Sequence, residues 1–169
     1  MKRINKILIC ILLVVVTLCA LTSCNNRLYG LTLPELNDNE IAFVIKNGYR
    51  DYTIYTVDLT VFDNSEIRGS TVLEYLSDEE GLTFEWAISP SGFLLIAIGS
   101  LTADASEGEF IRIMTNNTKY HWAKIWGRKE YIYNVGDVQL KDSWATISQI
   151  RIEAGDVVYF ELYKNTKKK

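Results

Sequence analysis

The sequence predicts an α+β domain in which a mainly antiparallel sheet carries one short helix. Three observations lead there. Tyr55, Val57, Leu59 and Val61 alternate with Thr56, Asp58 and Thr60, the two-residue period of a half-buried strand. GSTVLEYLSDEEG, from Gly69, is the one stretch with a convincing helical apolar face. After it, short apolar runs recur between turn-forming groups almost to the end of the chain.

In order, IAFVI (Ile41 to Ile45) reads as a short apolar strand, and Asn47-Gly48 as the turn that pairs it with the strand through Tyr55, because Asn-Gly tolerates the positive φ of tight hairpins. In the helix, Thr71 and Glu74 match a capping box, Val72, Leu73 and Leu76 form the apolar face, and Gly81 ends it. A helix of about three turns needs a sheet to bury that face. Leu82 to Ile88 and Phe93 to Ile98 flank the turn Ser89-Pro90-Ser91-Gly92, and Phe110 to Met114 and Tyr120 to Trp126 flank Thr115-Asn116-Asn117-Thr118. Tyr131 to Leu140, Ile147 to Ile152 and Val157 to Tyr163 complete the strands. Two strands, a helix and then a meander describe a β-grasp-like domain over residues 40–165.

The amino terminus has a different character. Lys2, Arg3 and Lys6 precede an apolar run from Ile7 to Leu21, the layout of a secretory signal, and the run is shorter than the ~20 residues of a spanning helix. Leu21-Thr22-Ser23-Cys24 then looks like a bacterial lipobox, which makes residues 1–23 a signal peptide and Cys24 the lipidated first residue of the mature chain. Several acyl chains on one residue anchor stably. The expected location is extracytoplasmic, with the bilayer as a partner through Cys24. Residues 24–39, with Pro34, read as a tether, and 166–169 as a basic tail.

Loss of the signal removes three of the 18 Lys+Arg and none of the 21 Asp+Glu, so the formal charge moves from −3 to −6. Such a balance lacks the basic face that nucleic acid requires. Cys10 and Cys19 leave with the signal, so no disulfide is expected and stability falls to the core. The remaining 146 residues are enough for one domain.

Five pieces in order, GSTVLEYL (69–76), GLTFEW (81–86), SGFLLIAIGSL (91–101), HWAKIWG (121–127) and TISQIRIEAGDVVYFEL (146–162), resemble the C-terminal domain of transcobalamin and intrinsic factor, which also occurs alone in bacterial surface proteins. The resemblance implies a ligand-binding β-grasp domain that closes over one face of cobalamin, while a helical barrel with no counterpart here holds the other. By that resemblance the ligand-binding residues are Ser91, Gly92, Phe93, Trp122, Lys124 and Trp126. Aromatic faces suit a flat macrocycle, Gly92 lets backbone come close, and Ser91 and Lys124 meet peripheral amides. Two departures lie near the expected ligand edge. Thr146 stands where the family has a glycine, and Glu130 to Ser143 is long enough for an added hairpin.

Four tryptophans and ten tyrosines in a β-rich chain serve core and cross-strand pairs as readily as a binding face, and Trp86 and Trp122 fit either use. Trp126, beside Gly127, is the better candidate for exposure. His121 is the only histidine; without cysteine partners it makes no structural zinc site, and use as an axial ligand to cobalt is the minor alternative to a strand-edge hydrogen bond. No GxSxG, GxxxxGK[ST] or GxGxxG motif is present, and the pairs Glu79-Glu80 and Glu107/Glu109 belong to a helix end and a turn, so no enzyme is expected.

Two functions follow. One is capture of a soluble ligand, cobalamin or a related corrinoid, at the cell surface, with no other cofactor and with a transporter or second ligand-binding domain as partner. The other is a protein- or glycan-binding adhesion module. A concave aromatic face around Gly92 and Trp126 favours the first, and a flat polar face with buried tryptophans the second.

Overall fold

Ile41 to Ile45 is apolar at every position, as a strand covered on both faces must be. The computed structural model describes residues 28–63, 66–123 and 125–164, and all five of these residues are buried there. They lie in β1 (Glu40–Gly48), which pairs antiparallel with β2 (Asp51–Asp58). Helix α1 (Gly69–Glu80) follows, then β3 (Phe84–Ser89), β4 (Gly92–Ile98) and β5 (Leu101–Thr102), which form a three-stranded antiparallel sheet. The six-stranded sheet is completed by β6 (Glu109–Thr115), β7 (Ile132–Val135), β8 (Val138–Asp142) and β9 (Val157–Lys164), in the order β2-β1-β9-β6-β8-β7. Among the described strands only β1 and β9 run parallel, in register from Ala42 opposite Val157 to Ile45 opposite Phe160. A hairpin, a helix and a last strand returning parallel to the first is the expected β-grasp arrangement, here extended by the hairpin β7–β8 that the long segment 130–143 anticipates.

The sheet buries both faces. On one, Phe43, Ile111, Ile113 and Phe160 meet Val72, Leu73 and Leu76 of α1 and Leu95 and Ile98 of the small sheet. On the other, Ala42, Val44, Met114 and Tyr159 are covered by Leu28, Leu31, Leu33 and Leu36. The described part of the expected tether is thus laid on the sheet, because its leucines find an apolar face there; residues 24–27 lie outside the described residues. No helix among the described residues is long and apolar enough to cross a membrane.

Several local expectations are corrected. The first hairpin turns at Tyr49-Arg50, with Arg50 at φ 60°, rather than at Asn47-Gly48. Asn47 is held in the strand by its side chain, which donates to Thr53 Oγ1 (2.9 Å) and accepts from Ser100 Oγ (2.8 Å). The second strand stops at Asp58, whose carboxylate accepts from the Thr60 amide and starts a 3-10 turn, Leu59–Val61. No Thr71–Glu74 capping box forms: α1 begins two residues earlier, behind Arg68, and the Gly69 amide donates to Ile150 O at 2.9 Å. Gly81 ends the helix at φ 69° as expected.

Among the described residues, neither Tyr120 to Trp126 nor Ile147 to Ile152 forms a strand. Asn117 caps a 3-10 turn, Thr118–Tyr120, and the Trp126 and Arg128 amides close back onto Trp122 and Ala123. The segment around Ile147 and Ile150 buries those side chains while its backbone meets α1's leading residues through a single bridge, Arg68 to Arg151. The close approach needs a glycine, since a Cβ on Gly69 would lie 2.6 Å from Ile147 Cδ1 and 2.9 Å from Ile147 O. Gly69→Ala is expected to cost about 2 kcal/mol, the scale of an overpacked core site, read as a lower urea midpoint at unchanged slope.

Candidate functional site

The expected site residues fall into two groups. At the β3–β4 turn, Ser91 is exposed and its carbonyl accepts from Thr146 Oγ1 at 3.0 Å. Gly92 sits at φ 115°, and a Cβ there would lie 2.5 Å from Ser148 Oγ and 2.6 Å from Thr146 Oγ1. The missing side chain therefore makes room for two hydroxyls of the chain itself. Phe93 donates its amide to Ser148 Oγ (3.0 Å) and stacks on Trp86, centroids 4.7 Å apart, so its ring serves the packing beneath the turn. Thr146, at the position where the resemblance expects glycine, is thus what holds the turn.

Trp122 is half-buried, with Nε1 donating to Lys119 O at 2.9 Å. Trp126 stands out, 65% exposed. Lys124, like Cys24, lies outside the described residues. Ser91, Trp122 and Trp126 nevertheless converge: with Arg128, Trp144 and Gln149 they line an open cleft of about 230 Å³.

Trp144 links this cleft to two others. It sits at φ 52°, a conformation that non-glycine residues reach only when their surroundings impose it, and is 41% exposed. On one side Phe110, Tyr131, Tyr163 and Trp144 wall a cleft of about 410 Å³ that reaches Arg112 and Asp142, with exposed Arg128 and Lys129 at its mouth. On another, β4, β6 and the segment after β8 enclose about 200 Å³.

Arg112 is nearly inaccessible, 3% exposed. Its Nη1 donates to Glu161 Oε1 at 3.0 Å, and its guanidinium lies between the rings of Tyr163 (3.6 Å) and Tyr131 (3.9 Å), whose hydroxyls are 2.7 Å apart. Nε faces Asp142 Oδ2 at 3.5 Å without a hydrogen bond, and Nη2 has no partner. Glu161 also accepts from the hydroxyls of Tyr133 (3.1 Å) and Tyr159 (3.3 Å). Burial pushes the Tyr133 hydroxyl up to about 12, with the Glu161 charge adding to it. Burial likewise pushes the Asp142 carboxyl up to about 6, against the pull of Arg112.

None of Arg112, Asp142 and Trp144 was among the residues expected at a site, since they come from separate segments without motif spacing. The available signals were single charges in apolar strands, Arg112 within FIRIM and Glu161 within VVYFEL. Charge at a strand position that should be buried requires a partner.

No protein-family model matches the chain, and no curated protein matches it. Among solved structures it is similar to a protein from Ruminococcus gnavus ATCC 29149 proposed to bind metal, at 14% identity and a TM-score of 0.44, over 75% of this chain and 98% of that one. Likeness of that degree does not bear on function. Among the described residues no group of three or more His, Cys, Asp or Glu side chains is placed to hold a metal ion. His121 Nε2 is 2.9 Å from Thr115 O.

The raised Asp142 pKa has a definite sign. The fold favours the protonated acid, so the stability that Asp142 contributes is full below its ordinary 3.8 and is lost as pH rises through about 6, a change of about 3 kcal/mol. Asp142→Asn removes that dependence. The stability of the natural protein relative to the variant, from urea denaturation, should fall by about 3 kcal/mol between pH 3 and pH 7.

Proposed function

We propose that this protein is a lipid-anchored, non-enzymatic receptor for a soluble small ligand, with cobalamin or a related corrinoid as the first candidate. Anchoring is through Cys24, and the ligand is held for capture or for transfer to uptake machinery. The observation that carries the reading is the convergence of Ser91, Trp122 and Trp126, brought from two distant segments into one cleft with Trp144 and Arg128.

The chemistry of that cleft suits the ligand class. Exposed indole faces cover flat apolar surface, and Arg128, Gln149 and Ser91 offer polar groups to peripheral carbonyls and amides. The volume is that of a contact surface rather than an enclosing pocket, consistent with a domain that covers one face of a larger ligand while a partner covers the other. The concave aromatic surface at Trp126 supports this reading over adhesion, which calls for a flat polar face with the tryptophans buried.

Titration of the full chain in detergent micelles with cobalamin and cobinamide, following corrin absorbance and tryptophan quenching together, tests it. Saturable binding that Trp126→Ala weakens by about 30-fold, the scale of a tryptophan anchor in an interface, is the expected result. Absence of binding to the folded protein would overturn its reading as a corrinoid receptor in its own right and leave a two-part pocket or an adhesion module.

A further inference from the structure

The cleft that ends at Arg112 and Asp142 presents a chemical demand that the protein leaves unmet. Arg112 keeps two nitrogens, Nε and Nη2, without an acceptor, although it is 3% exposed. A buried donor without an acceptor costs about 1–3 kcal/mol, so such groups need a reason. Beside them Asp142, also buried, uses Oδ1 to accept from the Trp144 amide at 3.3 Å and turns Oδ2 toward the guanidinium at 3.5 Å. Unmet donors and a carboxylate oxygen thus belong to two residues that line a cleft of about 410 Å³ walled by four aromatic rings, with the donor atoms themselves covered, so a ligand reaches them by displacing a covering ring.

The group that answers both at once accepts one hydrogen bond and donates another from adjacent atoms, carries no charge, and is planar like the walls. We propose that this cleft binds a planar ring bearing a primary carboxamide, with its carbonyl oxygen taken by Arg112 and its amide N–H by Asp142. A carboxylate would set a second negative charge against Asp142, and an amidinium a second positive charge against Arg112. The ring lies among Phe110, Tyr131, Tyr163 and Trp144, where apolar faces of this kind hold flat ligands. Exposed Arg128 and Lys129 stand at the mouth, Arg128 5.5 Å over Trp144 and Lys129 5.1 Å over Tyr131, and give ring and carboxamide no competing acceptor. The site shares Trp144 and Arg128 with the cleft proposed for the corrinoid but is not lined by Trp126, so Trp126→Ala tells the two apart.

Three single-ring probes, benzamide, benzoate and benzamidine, separate the possibilities when titrated into the full chain at pH 8 by isothermal calorimetry. Benzamide should bind about tenfold more tightly than either charged probe, the cost of one mismatched buried polar group, and Trp126→Ala should leave that preference unchanged. Asp142→Asn replaces the acceptor oxygen with an amide that can donate, so the preference should turn toward benzoate. Should that variant fail to fold, lowering the pH of the natural protein from 8 to 5 makes the same change by protonating Asp142, which faces Arg112 from β6, Glu161 from β9 and the Trp144 amide. Equal affinity for all three probes, tighter benzoate than benzamide at pH 8, or no binding of benzamide overturns the proposal.

Discussion

Everything in this fold depends on the parallel pairing of β1 with β9. Those two strands lie near the middle of the large sheet, are buried on both faces, and meet again through the edge-to-face contact of Phe43 and Phe160 at 5.5 Å. Ala42 pairs with Val157, so the beginning and the end of the domain close one ladder. Such a pairing must overcome the loop-closure entropy of about 115 residues before it returns any stability. It also dictates the coverings: one face takes α1 and the small sheet, and the other takes the leucines of the amino-terminal stretch.

The second face is not uniformly apolar. Along β6 and β9, Met114 pairs with Tyr159, Arg112 with Glu161 and Phe110 with Tyr163, so one face passes from core to a buried ion pair to an aromatic cleft within five residues of strand. Buried ion pairs of this kind are poor sources of stability, because desolvation consumes most of the Coulombic gain, and replacing one by apolar residues is often neutral. Their retention here follows a geometric logic. Glu161 satisfies one edge of the Arg112 guanidinium, two tyrosine rings cover its planes, and the remaining edge lies beside Asp142.

Elements with local signals were legible in the sequence. Helix α1 carried its apolar face and its terminal glycine within a dozen residues, and the β3–β4 hairpin was announced by Ser89-Pro90-Ser91-Gly92. Where packing overrode local pattern, the reading failed. Trp122 and Ala123, or Ile147 and Ile150, look like strand residues because they are apolar and closely spaced, yet their backbones satisfy themselves through turns and one isolated bridge. The candidate site was legible in the same proportion. Ser91, Trp122 and Trp126 come together as expected, but the conformation of Gly92 answers to Thr146 and Ser148, contacts over fifty residues away that spacing cannot reveal. Trp144, held at a positive φ between three clefts, owes its position to the end of β8 and so had no signature of its own.

The leucines laid on the sheet from Leu28 onward also set a length. With the lipid on Cys24, as proposed, four residue steps separate the membrane surface from the first packed side chain, a span of about 14 Å at full extension. The domain would then ride close to the headgroups, with little freedom to tumble. A transporter seated in the same bilayer would then be reached by diffusion in two dimensions, without release of the domain from the membrane.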